Sequence, residues 1–175
     1  NQLTDWGWAE LLKELSARDD VSQIDIVTFN YDIWFERVLD RLGLAYHVPV
    51  MSEGTEGKFS VIKPHGSVSF VHKTALDPTA FGIRYKQDAD CLEAAPSDFE
   101  ITLTEMDRYT PVIALIPPAG DSDRFNTTWA GRLRECAGER AGGLEAGDQV
   151  VVCGLSYWHV DRKEIDTLLL KVDEG

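Results

Sequence analysis

The amino-acid sequence predicts an α/β fold, a mainly parallel sheet with helices on both faces, on three observations. Short apolar runs rich in β-branched residues alternate along the chain with segments whose apolar residues recur at helical spacing. Those runs are largely continuous in hydrophobicity, as in strands covered on two faces, rather than strictly alternating. The length of 175 residues, with 43% apolar and 27% charged residues, suffices for one such domain with a buried core and is too short for two ordinary ones. Residues 1–175 are therefore read as a single domain.

The elements follow in order. Trp8, Leu11, Leu12 and Leu15 give Trp6 to Leu15 one apolar helical face. Ile24 to Phe29 is short and rich in β-branched residues, so it reads as a buried strand ending at Asn30. Trp34, Phe35, Val38, Leu39 and Leu42 return to helical spacing, and Gly43 stands where a helix C-terminus needs a left-handed residue. A short apolar stretch from Tyr46 to Met51 leads into the turn Ser52 to Gly57, and Phe59 to Ile62 reads as the next strand, running into Lys63-Pro64-His65-Gly66-Ser67. Lys73 to Arg108 lacks periodicity and is assigned to loops, with one helix near Asp98 to Tyr109. Pro111 to Ile116 is a strand closed by Pro117-Pro118. A helix follows from Asn126 to about Ala141, then a last strand from Gln149 to Cys153 and a helix from Arg162 to Val172 through Ile165, Leu168 and Leu169. No internal repeat or low-complexity tract is present.

Lysine and arginine total 17 against 30 acidic residues, a net charge of −13, which disfavours direct binding to a nucleic-acid backbone and favours a small molecule or a protein as partner. No apolar run reaches the roughly 18 residues that cross a bilayer, and Asn1 to Asp5 has no signal-peptide pattern, so the expected location is the cytoplasm, away from membranes. Cys91, Cys136 and Cys153 are odd in number, widely spaced and without a C-x-x-C pair. They read as buried thiols rather than disulfides or zinc ligands.

Three polar motifs fall at strand ends, where ligands of parallel sheets bind. Thr28-Phe29-Asn30-Tyr31-Asp32 offers an amide and a carboxylate that can fix ribose hydroxyls or a water, or else merely cap the following helix. Lys63-Pro64-His65-Gly66-Ser67 is a sharply shaped turn able to project His65 into a cleft as a general base, or to hold it as a structural histidine. His47, His72 and His159 have no such context. Gly154-Leu155-Ser156, with Asp161 five residues beyond, can bring backbone close to a ligand and donate from Ser156, or form a plain turn with Asp161 as helix cap.

Taken in order, these motifs resemble the SIR2-like domain family, bacterial relatives of the sirtuins. Sirtuins carry a threonine-glutamine-asparagine-isoleucine-aspartate motif, a histidine-glycine pair and a glycine-threonine-serine turn in that order; the bacterial group often has asparagine-tyrosine-aspartate first, as here. The double proline after Ile116 and the helix leading to the last strand are also similar. The resemblance implies an NAD site at the carboxyl end of a Rossmann-like sheet. It implies Asn30 and His65 as catalytic residues, His65 being the base, with Thr28, Asn30, Asp32, Gly66, Gly154, Ser156 and Asp161 binding the nucleotide. Breaking the nicotinamide glycosidic bond develops positive charge at the ribose, so oriented polar groups and a base lower its barrier.

The chain departs from that family in two respects. No glycine-rich phosphate loop precedes the asparagine motif, since Gly7 is the only glycine before Ile24; the chain is then either a piece of a longer protein, whose other domains are partners, or a shortened domain. Three scattered cysteines cannot supply a four-cysteine zinc module, so no zinc and no protein deacetylation are expected. The leading expectation is an NAD glycohydrolase domain, as in bacterial defence proteins. Its alternatives are a module that senses NAD or an ADP-ribose-type nucleotide without cleaving it, and a structural or interaction domain with vestigial motifs. A cysteine enzyme is the remote case, because Cys153 falls within an apolar strand pattern where burial would make it inert.

Overall fold

The computed structural model describes residues 5–54, 57–73, 94–104, 113–116, 128–155 and 161–173. Helix α1 (Gly7–Ala17) buries Ala9 and Leu12; of the expected apolar face Leu12 is buried, Trp8 and Leu15 are half-buried, and Leu11 is exposed. Strand β1 (Ile24–Val27) leads to α2 (Trp34–Leu42), which ends at Gly43 with φ 68°, its N–H donating to the Asp40 carbonyl at 3.1 Å. Two short strands follow, β2 (Tyr46–His47) and β3 (Phe59–Ile62). These three strands form one parallel sheet in the order β1-β3-β2, with Ile24 opposite Phe59 and Val27 opposite Ile62.

All four residues of β3 are buried. Phe59 and Val61 pack with Ile24, Ile26 and the inner faces of α1 and α2, whereas Ile62 faces a second cluster built on Phe70, Trp129 and Leu133. That two-sided cover explains why β3 lacks an alternating pattern. From Ile62 the chain passes in three residues into β4 (Gly66–His72), the centre of a separate antiparallel sheet ordered β5-β4-β6. Its neighbours are β5 (Phe99–Ile101), preceded by a 3-10 turn at Pro96–Asp98, and β6 (Ile113–Leu115). Helices α3 (Trp129–Gly142) and α4 (Arg162–Asp173) pack on one another, and α3 drives Trp129, Ala130, Leu133 and Ala137 into the second cluster.

The crossing from β3 to β4 depends on Gly66. Its φ is +85°, and a β-carbon there would lie 1.9 Å from the Ala114 carbonyl oxygen and 2.9 Å from the Trp129 ring, so only glycine fits where β6 and α3 close on the turn.

The fold is α/β, with four helices and two three-stranded sheets among the described residues. Several elements differ from the sequence-based expectation. Ile24 to Phe29 stops being a strand at Val27 and alternates in burial, with Val27 36% exposed, because β1 is an edge strand among the described residues. The run from Gly66 to His72 is a strand although its two serines obscure the apolar pattern; both serines are buried and hydrogen-bonded to one another at 2.8 Å. Phe99–Ile101 pairs with β4 instead of opening a helix, and the 105–109 part of that expected helix lies outside the described residues. Val150 to Cys153 forms no strand: Val151 is 74% exposed and Cys153 is exposed as well. Valines favour extended backbone, but a strand also needs a neighbour to pair with, and among the described residues none pairs with this segment. The expected burial of Cys153 fails with that strand. Cys91, His159, Pro117 and Pro118 lie outside the described residues. Among the described residues no helix is long and apolar enough to cross a membrane.

Candidate functional site

Parallel pairing of β1 with β3 brings the first two motifs to one sheet edge. Thr28 to Asp32 leaves the carboxyl end of β1, Lys63 to Gly66 leaves that of β3, and Thr28 N–H donates to the Ile62 carbonyl at 2.9 Å across the junction. The Val68 N–H then donates to the Tyr31 carbonyl at 3.0 Å, so β4 holds the first motif from beyond the turn. His65 sits between the rings of Phe29, edge-on at 4.9 Å, and Tyr31, tilted at 6.5 Å.

Beneath the two turns lies a buried ion pair. Lys63 Nζ is 2.7 Å from Glu36 Oε1, with the two side chains 0% and 2% exposed. The same ammonium donates to the Asp32 carbonyl and, at 3.1 Å, to Ser67 Oγ. Lys63 is thus the brace that ties α2 and both motif turns together. Asp32 also plays the capping part: its Oδ1 accepts the Trp34 N–H at 3.0 Å as α2 begins. Thr28 Oγ1 accepts the Asn30 N–H at 3.2 Å, shaping the turn that leaves Asn30 exposed.

His65 is only 7% exposed, and its Nε2 lies 2.6 Å from Glu164 Oε2 and 3.9 Å from Asp161 Oδ1. The other oxygen of Glu164 meets Arg134 Nη2 on α3 at 2.8 Å. Asp161 and Glu164 are three residues apart across the start of α4, the spacing that puts both carboxylates on one helix face. Tyr31, whose hydroxyl donates to the Ile116 carbonyl, has its phenol pushed above the ordinary value by burial and then by the carboxylates of Asp161 and Glu164. A carboxylate on an imidazole fixes its ring orientation. Two carboxylates at a strand-end histidine can therefore serve base chemistry beside a developing cation.

Next to this group a cavity of about 250 Å³ opens between α3 and α4, with Phe29 and Glu164 on its wall. Of the expected site residues, Thr28, Asn30, Asp32, His65, Gly66 and Asp161 cluster at this one edge. The space beside Gly66 is taken by Ala114 and Trp129, and Gly154, at φ +60°, is exposed with nothing within 4 Å of where a β-carbon would stand. Ser156 lies outside the described residues. Glu164, Arg134 and Glu36 were not singled out in the sequence. Glu164 had a signal, its helical spacing from Asp161; Arg134 and Glu36 had none, since only packing brings them in.

Among the described residues no three histidine, cysteine or acidic side chains converge as metal ligands. Comparison with family models, curated proteins and solved structures finds no match to this chain.

Proposed function

We propose that this chain is a Rossmann-like, SIR2-like domain that binds NAD and hydrolyses its nicotinamide-ribose bond. The observation that carries the reading is the meeting of the asparagine turn and the histidine turn at the carboxyl edge of two adjacent parallel strands, with Glu164 on the His65 ring. In the reaction the bond from ribose C1′ to the nicotinamide nitrogen breaks with its electron pair going to nicotinamide. A water oxygen bonds to C1′, and its proton passes to His65. Glu164 positions the imidazole and stabilises the imidazolium so formed, while Asp161 adds negative charge near the cationic ribose. Asn30 and Asp32, on the exposed turn, orient the ribose hydroxyls. Ligand cavities span roughly 300–1,000 Å³, so the 250 Å³ space receives part of a dinucleotide and the rest lies along the open sheet edge.

One observation favours a second reading, nucleotide sensing without cleavage: His65 is nearly covered and its Nε2 is engaged by Glu164. Nicotinamide release measured by chromatography at neutral pH separates the two. The wild type is expected to release nicotinamide; His65→Ala is expected to lose that activity with its fold retained, and Glu164→Gln to lower it by roughly 10- to 100-fold. Equal turnover by wild type and His65→Ala removes His65 from the reaction. NAD binding without turnover supports the sensing module.

A further inference from the structure

We infer that the cavity between α3 and α4 is an anion site for the diphosphate of the nucleotide, formed chiefly by the side chains of Lys163 and Lys171. The inference rests on the nucleotide reading above, and deepens it.

The charge on the cavity wall runs against the rest of the molecule. Among the described residues its charged lining is Arg134, Lys163, Lys171 and Glu164; Arg134 and Glu164 pair at 2.8 Å, which leaves the two lysines as net positive charge in a chain whose net charge is −13. Random placement of 17 basic and 30 acidic residues would favour the opposite sign. A concave surface of one sign within an acidic protein concentrates anions there and repels them elsewhere.

The helices are built to leave this space. Lys163 and Lys171 are eight residues apart on α4, with Thr167 midway, so they share one face over about 12 Å. Opposite them, Arg134 and Gly138 are four apart on α3. Gly138 is buried, and a β-carbon on it would come within 3.1 Å of Lys171 Cδ and Cε. Glycine at this position lets the lysine stem lie across α3 and bring its ammonium to the cavity. Phe29 at the cavity edge is the same ring that packs on His65, and Glu164 joins Arg134 to His65. An anion held here therefore sits beside the proposed reaction centre, as the diphosphate must when the ribose lies at His65.

The test uses the whole chain and inorganic pyrophosphate as probe, by isothermal titration at low ionic strength, with ADP-ribose and NAD titrated in parallel. Pyrophosphate is expected to bind the wild type. Lys171→Met, which keeps the packed stem and removes the charge, is expected to weaken it roughly fivefold, and Lys163→Met/Lys171→Met further, with circular dichroism unchanged. Gly138→Ala is expected to weaken it by displacing the Lys171 stem. Absence of pyrophosphate binding, or equal affinity in the double variant, overturns the anion site. Lysine-dependent pyrophosphate binding without binding of ADP-ribose or NAD keeps the site and removes the NAD reading. NAD binding indifferent to both lysines does the reverse.

Discussion

Replacing Lys63 by methionine tests whether the brace under the two turns holds the site together. The substitution preserves the length of the side chain but leaves Glu36, 2% exposed, as a buried carboxylate facing no cation, and Glu36 Oε2 has no hydrogen-bond partner among the described residues. Removing one member of a buried ion pair costs about 3–5 kcal/mol, a large share of the roughly 5–15 kcal/mol by which domains are stable. Lys63→Met should therefore fall in that range, or fail to fold in vitro. Lys63→Met/Glu36→Leu eliminates the stranded charge, so most of the loss should return. A residual deficit of about 1–2 kcal/mol should remain from the lost bonds to the Asp32 carbonyl and Ser67 Oγ. Urea unfolding followed by tryptophan fluorescence of wild type, both single variants and the double variant gives the coupling energy, expected at about 2 kcal/mol or more. Lys63→Met within about 1 kcal/mol of wild type, or a double variant equal to the sum of the singles, refutes the reasoning.

Two further outcomes follow from the backbone and from the phenols. Gly66→Ala should cost about 3 kcal/mol or more because its β-carbon meets the Ala114 backbone, whereas Gly154→Ala, with a positive φ but open space, should cost only about 1–2 kcal/mol; thermal melts of equal midpoint would contradict this. Tyr31 and Tyr46 both have their phenols raised, by burial foremost, with Asp161 and Glu164 adding to the first and Asp40 and Glu36 to the second. The unfolded chain releases those protons near pH 10 while the folded chain keeps them. The stability they contribute is complete below about pH 10 and is lost as pH rises through the raised folded values. The urea midpoint should accordingly fall on going above about pH 10, and less steeply in Tyr31→Phe; a midpoint independent of pH in that window, or an equal slope in the variant, counts against it.

The periodic elements were legible in the residues alone. Helices α1, α2 and α4 announce themselves by apolar spacing, α3 as a helix-compatible stretch, and Gly43 by its place after Leu42, because a helix is closed by bonds between near neighbours. The strand ends carrying Asn30 and His65 were legible for the same local reason: each apolar run breaks into a polar turn. Pairing was not. Whether Val150 to Cys153 becomes a strand depends on a partner edge supplied from elsewhere, and the same holds for β4, whose buried serines look polar until they are seen bonded to each other. The separation of the strands into two sheets turns on Gly66, where contacts with Ala114 and Trp129, 48 and 63 positions away, close the junction. Glu36 under the motifs and Arg134 behind Glu164 belong to the same class. A charge becomes part of a site when folding buries it against an opposite one, and burial is a property of the packed chain rather than of any stretch of its sequence.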